Sequence, residues 1–159
     1  MKPRAEVEEV WPRDGRIGIV GRLVGLGAGA GGAWQLTVTR RSHVGQVLCY
    51  DAELNGERFN CAWDVADLAA YDDGFSGADQ WDLHLTDGRR TLRVGRRLDD
   101  IRGKKAIYVY PRQAVPGAGF DVRPYFTVED NLSLECRALS PERRALSLES
   151  RALSPERRA

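Results

Sequence analysis

The chain is poor in the residues from which most catalytic and metal sites are built. Among its 159 residues are two histidines and three cysteines, and arginine makes up all but three of its 24 basic residues. A formal net charge of +1 gives no electrostatic reason to expect nucleic acid as a partner. The preference for arginine over lysine, together with abundant alanine and glycine, indicates a GC-rich bacterial genome.

The cysteines and the apolar runs indicate the cellular compartment of the protein. Cys49, Cys61 and Cys136 show no CxxC spacing, and each lies in an apolar alternating stretch. We therefore expect three small buried residues in a reducing compartment, with a disulfide or a reactive thiol as the alternatives. The sequence starts without an apolar signal region, and no run approaches the ~20 residues of a membrane helix. These features predict a cytoplasmic protein that does not span a membrane.

Apolar and polar residues alternate along most of the chain, which is typical of strands with one buried face. Turn signals separate the runs, and an Asn-Gly or Asp-Gly pair between alternating runs is the strongest short-range signal for a hairpin. The turn signals are Asp14-Gly15, Asn55-Gly56 and Asp87-Gly88. The predicted core residues are Ile17, Ile19, Leu23, Trp34, Leu36, Val38, Phe59, Cys61, Trp63, Trp81, Leu83, Leu85, Leu92, Val94, Ile107, Val109, Phe120, Val122, Leu132, Leu134 and Cys136.

Eight to ten short strands at this spacing predict an all-β fold, an antiparallel β-sandwich of immunoglobulin-like or jelly-roll-like type, over residues 5–137. Only Val65–Tyr71 has a helical pattern. Residues 138–159 form a predicted helical or disordered tail, because Leu146–Ala159 repeats Leu132–Ala145 with a single change. The first copy fits a last strand. Alternatives for the second copy are a leucine zipper, which its prolines oppose, and a strand added to a neighbour's sheet.

Motifs of known chemistry are missing. The Gly25–Gly32 run precedes a strand, whereas a phosphate-binding loop needs a helix after it. His43 and His84 have no second metal ligand at a usual spacing. Asp72-Asp73 and Asp99-Asp100 are better explained as solvated turns than as a metal pair. We therefore assign no catalytic residue, no cofactor and no metal.

One surface is a candidate for binding. If Ala106–Pro111 is a strand with Ile107 and Val109 facing the core, its tyrosines face outward beside an arginine. Stacked tyrosine and arginine suit a sugar ring, a phosphate-bearing polymer or a protein partner, and simple cross-strand packing is the alternative. The candidate residues are Lys105, Tyr108, Tyr110, Arg112, Arg123 and Tyr125.

Four segments carry a family resemblance: VEEVWPRDGRIGIVGRL, QWDLHLTDG, LRVGRRLDDIRGKKAIYVYP and VRPYFTVEDNLSLECR. With these, the chain resembles β-sandwich modules associated with actinobacterial family 2 glycosyltransferases and CDP-glycerol glycerophosphotransferases, the teichoic-acid type of cell-wall polymer enzyme. Similar stand-alone proteins are labelled transferases. In such enzymes the chemistry belongs to separate domains, so the resemblance transfers no catalytic residue to this chain.

Three functions follow as hypotheses. The first is a non-catalytic accessory module that docks a cell-wall glycosyltransferase or glycerophosphotransferase, or supports homo-oligomerisation. The second is a carbohydrate-binding module for a glycan or polyol-phosphate polymer, using the candidate surface. The third is a small transferase in its own right.

Overall fold

The computed structural model describes residues 2–26, 32–98 and 104–140, without the side chains of residues 105 and 106. The second copy of the repeat, Asp99-Asp100 and most of the Gly25–Gly32 run lie outside these residues. The elements are β1 (Arg4–Arg13), β2 (Arg16–Val24), β3 (Trp34–Arg40), β4 (Val47–Asn55), β5 (Arg58–Asp64), a 3-10 helix (Val65–Tyr71), β6 (Ala78–Thr86), β7 (Thr91–Gly95), α1 (Lys104–Ile107), β8 (Gln113–Ala114), β9 (Phe120–Phe126) and β10 (Leu132–Ala138).

The strands form one sheet that closes on itself. Its order is β3-β4-β5-β2-β1-β7-β6, and β3 also pairs with β6, so seven strands make a barrel. β10, β9 and β8 continue outward from β6. The predicted all-β class is confirmed. The barrel differs from the expected sandwich because β3 pairs along both of its edges, and β1 with β7 is a parallel pair in an otherwise antiparallel sheet.

All three turn signals form hairpins, which the sequence predicts for Asn55-Gly56 and Asp87-Gly88. Asp14 and Gly15 link β1 to β2 with φ of 57° and 75°, the two left-handed residues that a tight type I′ turn requires. Gly56 follows β4 with φ of 66°, and Gly88 lies between β6 and β7 with φ of 92°. Local turn chemistry therefore sets the register of three strand pairs.

The alternating pattern predicts most of the core. Three of the four tryptophans, Trp34, Trp63 and Trp81, are each 2% exposed, and they pack with the aliphatic residues of the same strands. The 3-10 helix at Val65–Tyr71 matches the helical prediction and buries Val65 and Leu68. The first repeat copy supplies β10, as expected. Within the described ranges, no helix has the length and apolar character needed to cross a membrane.

Candidate functional site

The segment around Tyr108 departs from the predicted strand. α1 ends at Ile107, and the chain reaches the sheet again only at Gln113. Ile107 and Val109 are 57% and 65% exposed, so the prediction that they face the core is wrong. Tyr108 and Tyr110 pack inward instead, with ring centroids 5.6 and 6.5 Å from that of Phe126. Residues 107–110 still alternate in exposure, but the helical turn that precedes them shifts the phase, so the tyrosines face the core.

Two of the other candidate residues, Arg112 and Arg123, meet at Glu135 on the outer face of β9 and β10. The carboxylate of Glu135 accepts a hydrogen bond from Arg112, and it also lies 3.4 Å from Arg123 and 3.5 Å from Arg137. Arg112 donates as well to Asp121 at 3.1 Å. Burial raises the pKa of Glu135, but the hydrogen bond from Arg112 and the surrounding arginines outweigh it and hold this pKa below the usual range.

The structure therefore divides the predicted surface in two. Tyr125 and Arg123 lie on the outer face of β9, whereas Phe126 and the tyrosines that contact it lie on the inner face. The side chain of Lys105 is outside the described residues. A role of Arg112, Arg123 and Tyr125 in binding stays a prediction, and the guanidinium of Arg112 already has two carboxylate partners.

A partly buried arginine that we did not predict holds the sheet where it branches. β7 pairs with residues 84–86 of β6, and β10 pairs with residues 78–82 along the same edge. Arg93 lies at this division and donates to the carbonyl oxygens of Leu83 at 2.9 Å and Leu132 at 2.5 Å. Its guanidinium also bonds Asp82 at 3.0 Å. It thereby satisfies carbonyl groups next to the point where the strands separate.

Two cavities open beside Arg93 and share it as a lining residue. One, of about 410 Å³, is lined by Arg41, Asp82 and the turn after β9. The other, of about 450 Å³, is lined by four cationic side chains and, within the described part of the chain, by no carboxylate. We call this second cavity the basic groove; its cations are Lys2, Arg90, Arg93 and Arg97. It is the strongest candidate for an anion-binding site.

The backbone around the groove is anchored. The buried carboxylate of Glu6 accepts hydrogen bonds from the backbone N–H groups of Arg97, at 2.6 Å, and Leu98, at 2.8 Å. The side chain of Arg97 also donates to Asn131. A sequence signal for this groove exists in the five arginines between positions 89 and 97. The alternating pattern does not predict this arginine cluster, because its residues come from a hairpin and a strand end.

Several exposed apolar side chains belong to segments at the far end of β7. Leu98, Ile107, Val109 and Val128 are 43%, 57%, 65% and 90% exposed. The ion pair of Lys104 with Asp130, at 3.5 Å, joins α1 to the turn that carries Val128. We call these four residues the apolar rim. Large exposed apolar patches mark surfaces of protein contact, whereas single exposed apolar side chains are ordinary.

The acidic pair Asp72-Asp73 has a structural role. Asp73 pairs with the buried Arg40 at 3.1 Å, and Asp72 accepts a hydrogen bond from the backbone N–H of Gly119. Arg40 also bonds Asp79 at 2.5 Å.

Burial and the charge of Arg93 lower the pKa of His84. Among the described side chains, no group of three or more His, Cys, Asp or Glu residues is arranged to hold a metal ion.

The three cysteines are free thiols, but they differ in exposure. Cys61 and Cys136 are buried as predicted, and burial raises the pKa of Cys61 to about 11 and that of Cys136 further. Cys49 is exposed, so its predicted burial is wrong. Its position on β4 is opposite Thr37 on the polar face, and Tyr50 beside it is the residue that packs against the core.

Comparison with known proteins gives a likeness of fold. No protein-family model matches the chain, and no curated protein matches it significantly. Solved structures do, among them two of S. aureus TarS. S. aureus TarS matches with a TM-score of 0.63 and 18% identity over 89% of this chain and 25% of TarS. The structure of TarS 217–571 matches with a TM-score of 0.60 and 18% identity, over 90% of this chain and 41% of that one. The chain thus spans about a quarter of TarS, and the likeness is one of fold.

Proposed function

We propose that residues 5–137 form an accessory module of a bacterial cell-wall glycopolymer transferase system, acting by docking or oligomerisation and without catalysis of its own. The observation that supports this is the fold likeness to TarS, a teichoic-acid glycosyltransferase, over nearly the whole chain. The match covers a quarter of TarS, and a module of this extent fits a supporting part of a transferase system better than a whole transferase. An actinobacterial source and a cytoplasmic location stay predictions.

The apolar rim is the surface we assign to docking. Leu98, Ile107, Val109 and Val128 expose apolar groups that a partner would remove from water. The test is calorimetric titration of the full chain with a purified teichoic-acid transferase from the same organism. Ile107→Asp with Val128→Asp should weaken binding at least about tenfold, since it places charge in the contact.

The matched control introduces the same charges elsewhere. Val44 and Val47 are also exposed, at 75% and 36%, and precede or begin β4, outside the rim. Val44→Asp with Val47→Asp should leave the affinity unchanged. The docking proposal fails if the transferase does not bind, or if both double variants bind equally. Light scattering of the chain alone tests homo-oligomerisation, and turnover of a nucleotide-sugar or CDP-glycerol donor would support the small-transferase alternative instead.

The basic groove favours a second candidate, binding of a polyol-phosphate polymer. Lys2, Arg90 and Arg97 supply cations without a carboxylate among the described lining residues. Phosphate diesters along a polymer match such a surface, and binding of this kind weakens steeply with salt. Arg112, Arg123 and Tyr125, on the outer face of β9 and β10, stay predicted contacts of the same polymer.

This candidate is tested by affinity electrophoresis through gels that contain a polyol-phosphate polymer. Arg90→Gln with Arg97→Gln should reduce retardation severalfold at low salt. Arg58→Gln, which removes a cation paired with Glu8 on another part of the barrel, is the control. Equal retardation of both variants and the wild type would exclude the groove as the binding site.

A further inference from the structure

Trp11 is the exception among the tryptophans. Three are 2% exposed, whereas Trp11 is 48% exposed on the outer face of β1. The register explains its direction: Val10 and Pro12 lie opposite the core residues Ile19 and Ile17, so Trp11 between them faces outward. An exposed indole on a sheet is a large apolar surface that the fold leaves uncovered, and it has the shape to stack on a flat ring.

A cation without a carboxylate partner among the described residues lies over part of this indole, in a cation-π contact. Arg13 follows Trp11 by two residues on the same face, and its guanidinium carbon is 5.4 Å from the centre of the Trp11 ring. Among the described residues, no acid lies within salt-bridge distance of Arg13, whereas Arg16 opposite it pairs with Asp64 at 3.5 Å. Arg13 is therefore available to an external anion or hydroxyl group.

The surface next to Trp11 is open because of Gly18. A glycine inside a strand lowers stability relative to alanine, so a physical reason for it is expected. At Gly21 the reason is internal, since a Cβ would clash with the Glu6 carbonyl and lie 2.7 Å from Phe59. A Cβ at Gly18 meets nothing closer than 3.6 Å, from Ala62. The packing of the fold therefore does not require glycine at position 18.

We propose that Trp11, Arg13 and Gly18 form a subsite for a sugar ring with an anionic group next to it, as in a polyol phosphate whose polyol carries the sugar. The ring packs beside the indole over Gly18 and Ala62, and the Arg13 guanidinium bonds the phosphate or a hydroxyl group. Glu9, on the other side of Trp11 along β1, accepts hydrogen bonds from the remaining hydroxyl groups. The proposal deepens the polymer-binding candidate above by assigning it a sugar site separate from the basic groove.

The test uses the full chain with two polymers, a polyol phosphate with and without sugar substituents, and a small glycoside phosphate. Because Trp11 is the exposed indole, acrylamide quenching of tryptophan fluorescence reports mainly on it. The glycosylated polymer and the glycoside phosphate should protect Trp11 from quenching. Trp11→Ala should weaken binding of the glycosylated polymer about tenfold, and should leave binding of the bare polymer unchanged.

A second variant keeps the indole and closes its surroundings. Gly18→Leu fills the surface beside Trp11 and should weaken binding of the glycosylated polymer to a similar extent. Gly45→Leu adds the same side chain at a loop position with nothing within 4 Å and should have no effect. Thermal unfolding of each variant confirms that it is folded.

The outcomes separate this proposal from the one on which it rests. If Trp11→Ala and Gly18→Leu bind the glycosylated polymer as the wild type does, the subsite is wrong, while the groove can still bind the backbone. An equal loss of binding to the glycosylated and the bare polymer would also contradict a sugar site. If neither polymer binds but the glycoside phosphate protects Trp11, the subsite stands and the polymer-binding candidate fails. Protection of Trp11 by the transferase alone would make this face a protein contact and overturn the proposal.

Discussion

The guanidinium of Arg93 donates to the backbone carbonyl of Leu132 at 2.5 Å, across the point where β7 and β10 separate along β6. Arg93 is 17% exposed, and it also bonds Asp82 and the hydroxyl of Ser133. One side chain thus joins the barrel to its three-stranded extension. An apolar residue at this position would remove a donor from two carbonyl groups and from Asp82, which keeps Arg41 and Ser133 as donors.

Replacing Arg93 should therefore destabilise the protein. Arg93→Met should lower the free energy of unfolding by about 3 kcal/mol, since it leaves Asp82 and two carbonyl groups without this donor. Urea unfolding followed by circular dichroism measures the change. Arg89→Met, on the exposed β6–β7 hairpin, is the matched control and should change little. Equal midpoints for the two variants would show that Arg93 does not hold the branch.

The contribution of Asp82 should depend on pH. Burial raises its pKa, but hydrogen bonds from Arg41 and Ser133 and the charge of Arg93 outweigh burial, so the folded pKa is below the usual range. The unfolded value is about 3.9. A depressed folded pKa adds stability that is complete above the unfolded value and is lost as pH falls through the folded value.

Asp82→Asn tests this directly. The variant should be less stable than the wild type near neutral pH, and the difference should shrink below about pH 4. Denaturant unfolding of both proteins across this range gives the measurement. A difference that stays constant or grows on acidification would contradict the assignment.

Two strand glycines should respond oppositely to the same substitution. Gly21→Ala should cost at least about 2 kcal/mol, because its Cβ meets the Glu6 backbone, which cannot move freely. Gly18→Ala should be neutral or stabilising by up to about 1 kcal/mol, since the site has room and its φ is not positive. Thermal unfolding compares them. A large loss at Gly18 would mean that the fold itself needs this glycine.

The three thiols should react at different rates. Cys49 is exposed, whereas Cys61 and Cys136 are buried with raised pKa values. In the folded protein, iodoacetamide near neutral pH should modify Cys49 first, and all three should react together in denaturant. Mass spectrometry of digested samples assigns the modified residues. Labelling of Cys61 as fast as Cys49 would contradict the burial of β5.

The sequence predicts strands better than it predicts sites, for a physical reason. Trp34, Trp63 and Trp81 each lie in a run of alternating apolar and polar residues, and this local periodicity is enough to place them in the core. Tyr108 and Tyr110 were assigned to the surface because Ile107 and Val109 alternate with them, but α1 ends within that run. A pattern of six residues cannot distinguish a strand from a helical turn followed by an extended segment.

Local sequence patterns are enough to predict the all-β class, the three turns, most of the core and the helical turn at Val65–Tyr71, since each depends on neighbours along the chain. Tertiary structure alone decided that the sheet closes, because closure depends on β3 pairing with the distant β6. It also decided the basic groove, which joins Lys2 to Arg90 and Arg97, and the exposure of Trp11, which depends on pairing between β1 and β2. Long-range pairing is set by the packing of the whole chain, and no local pattern records it.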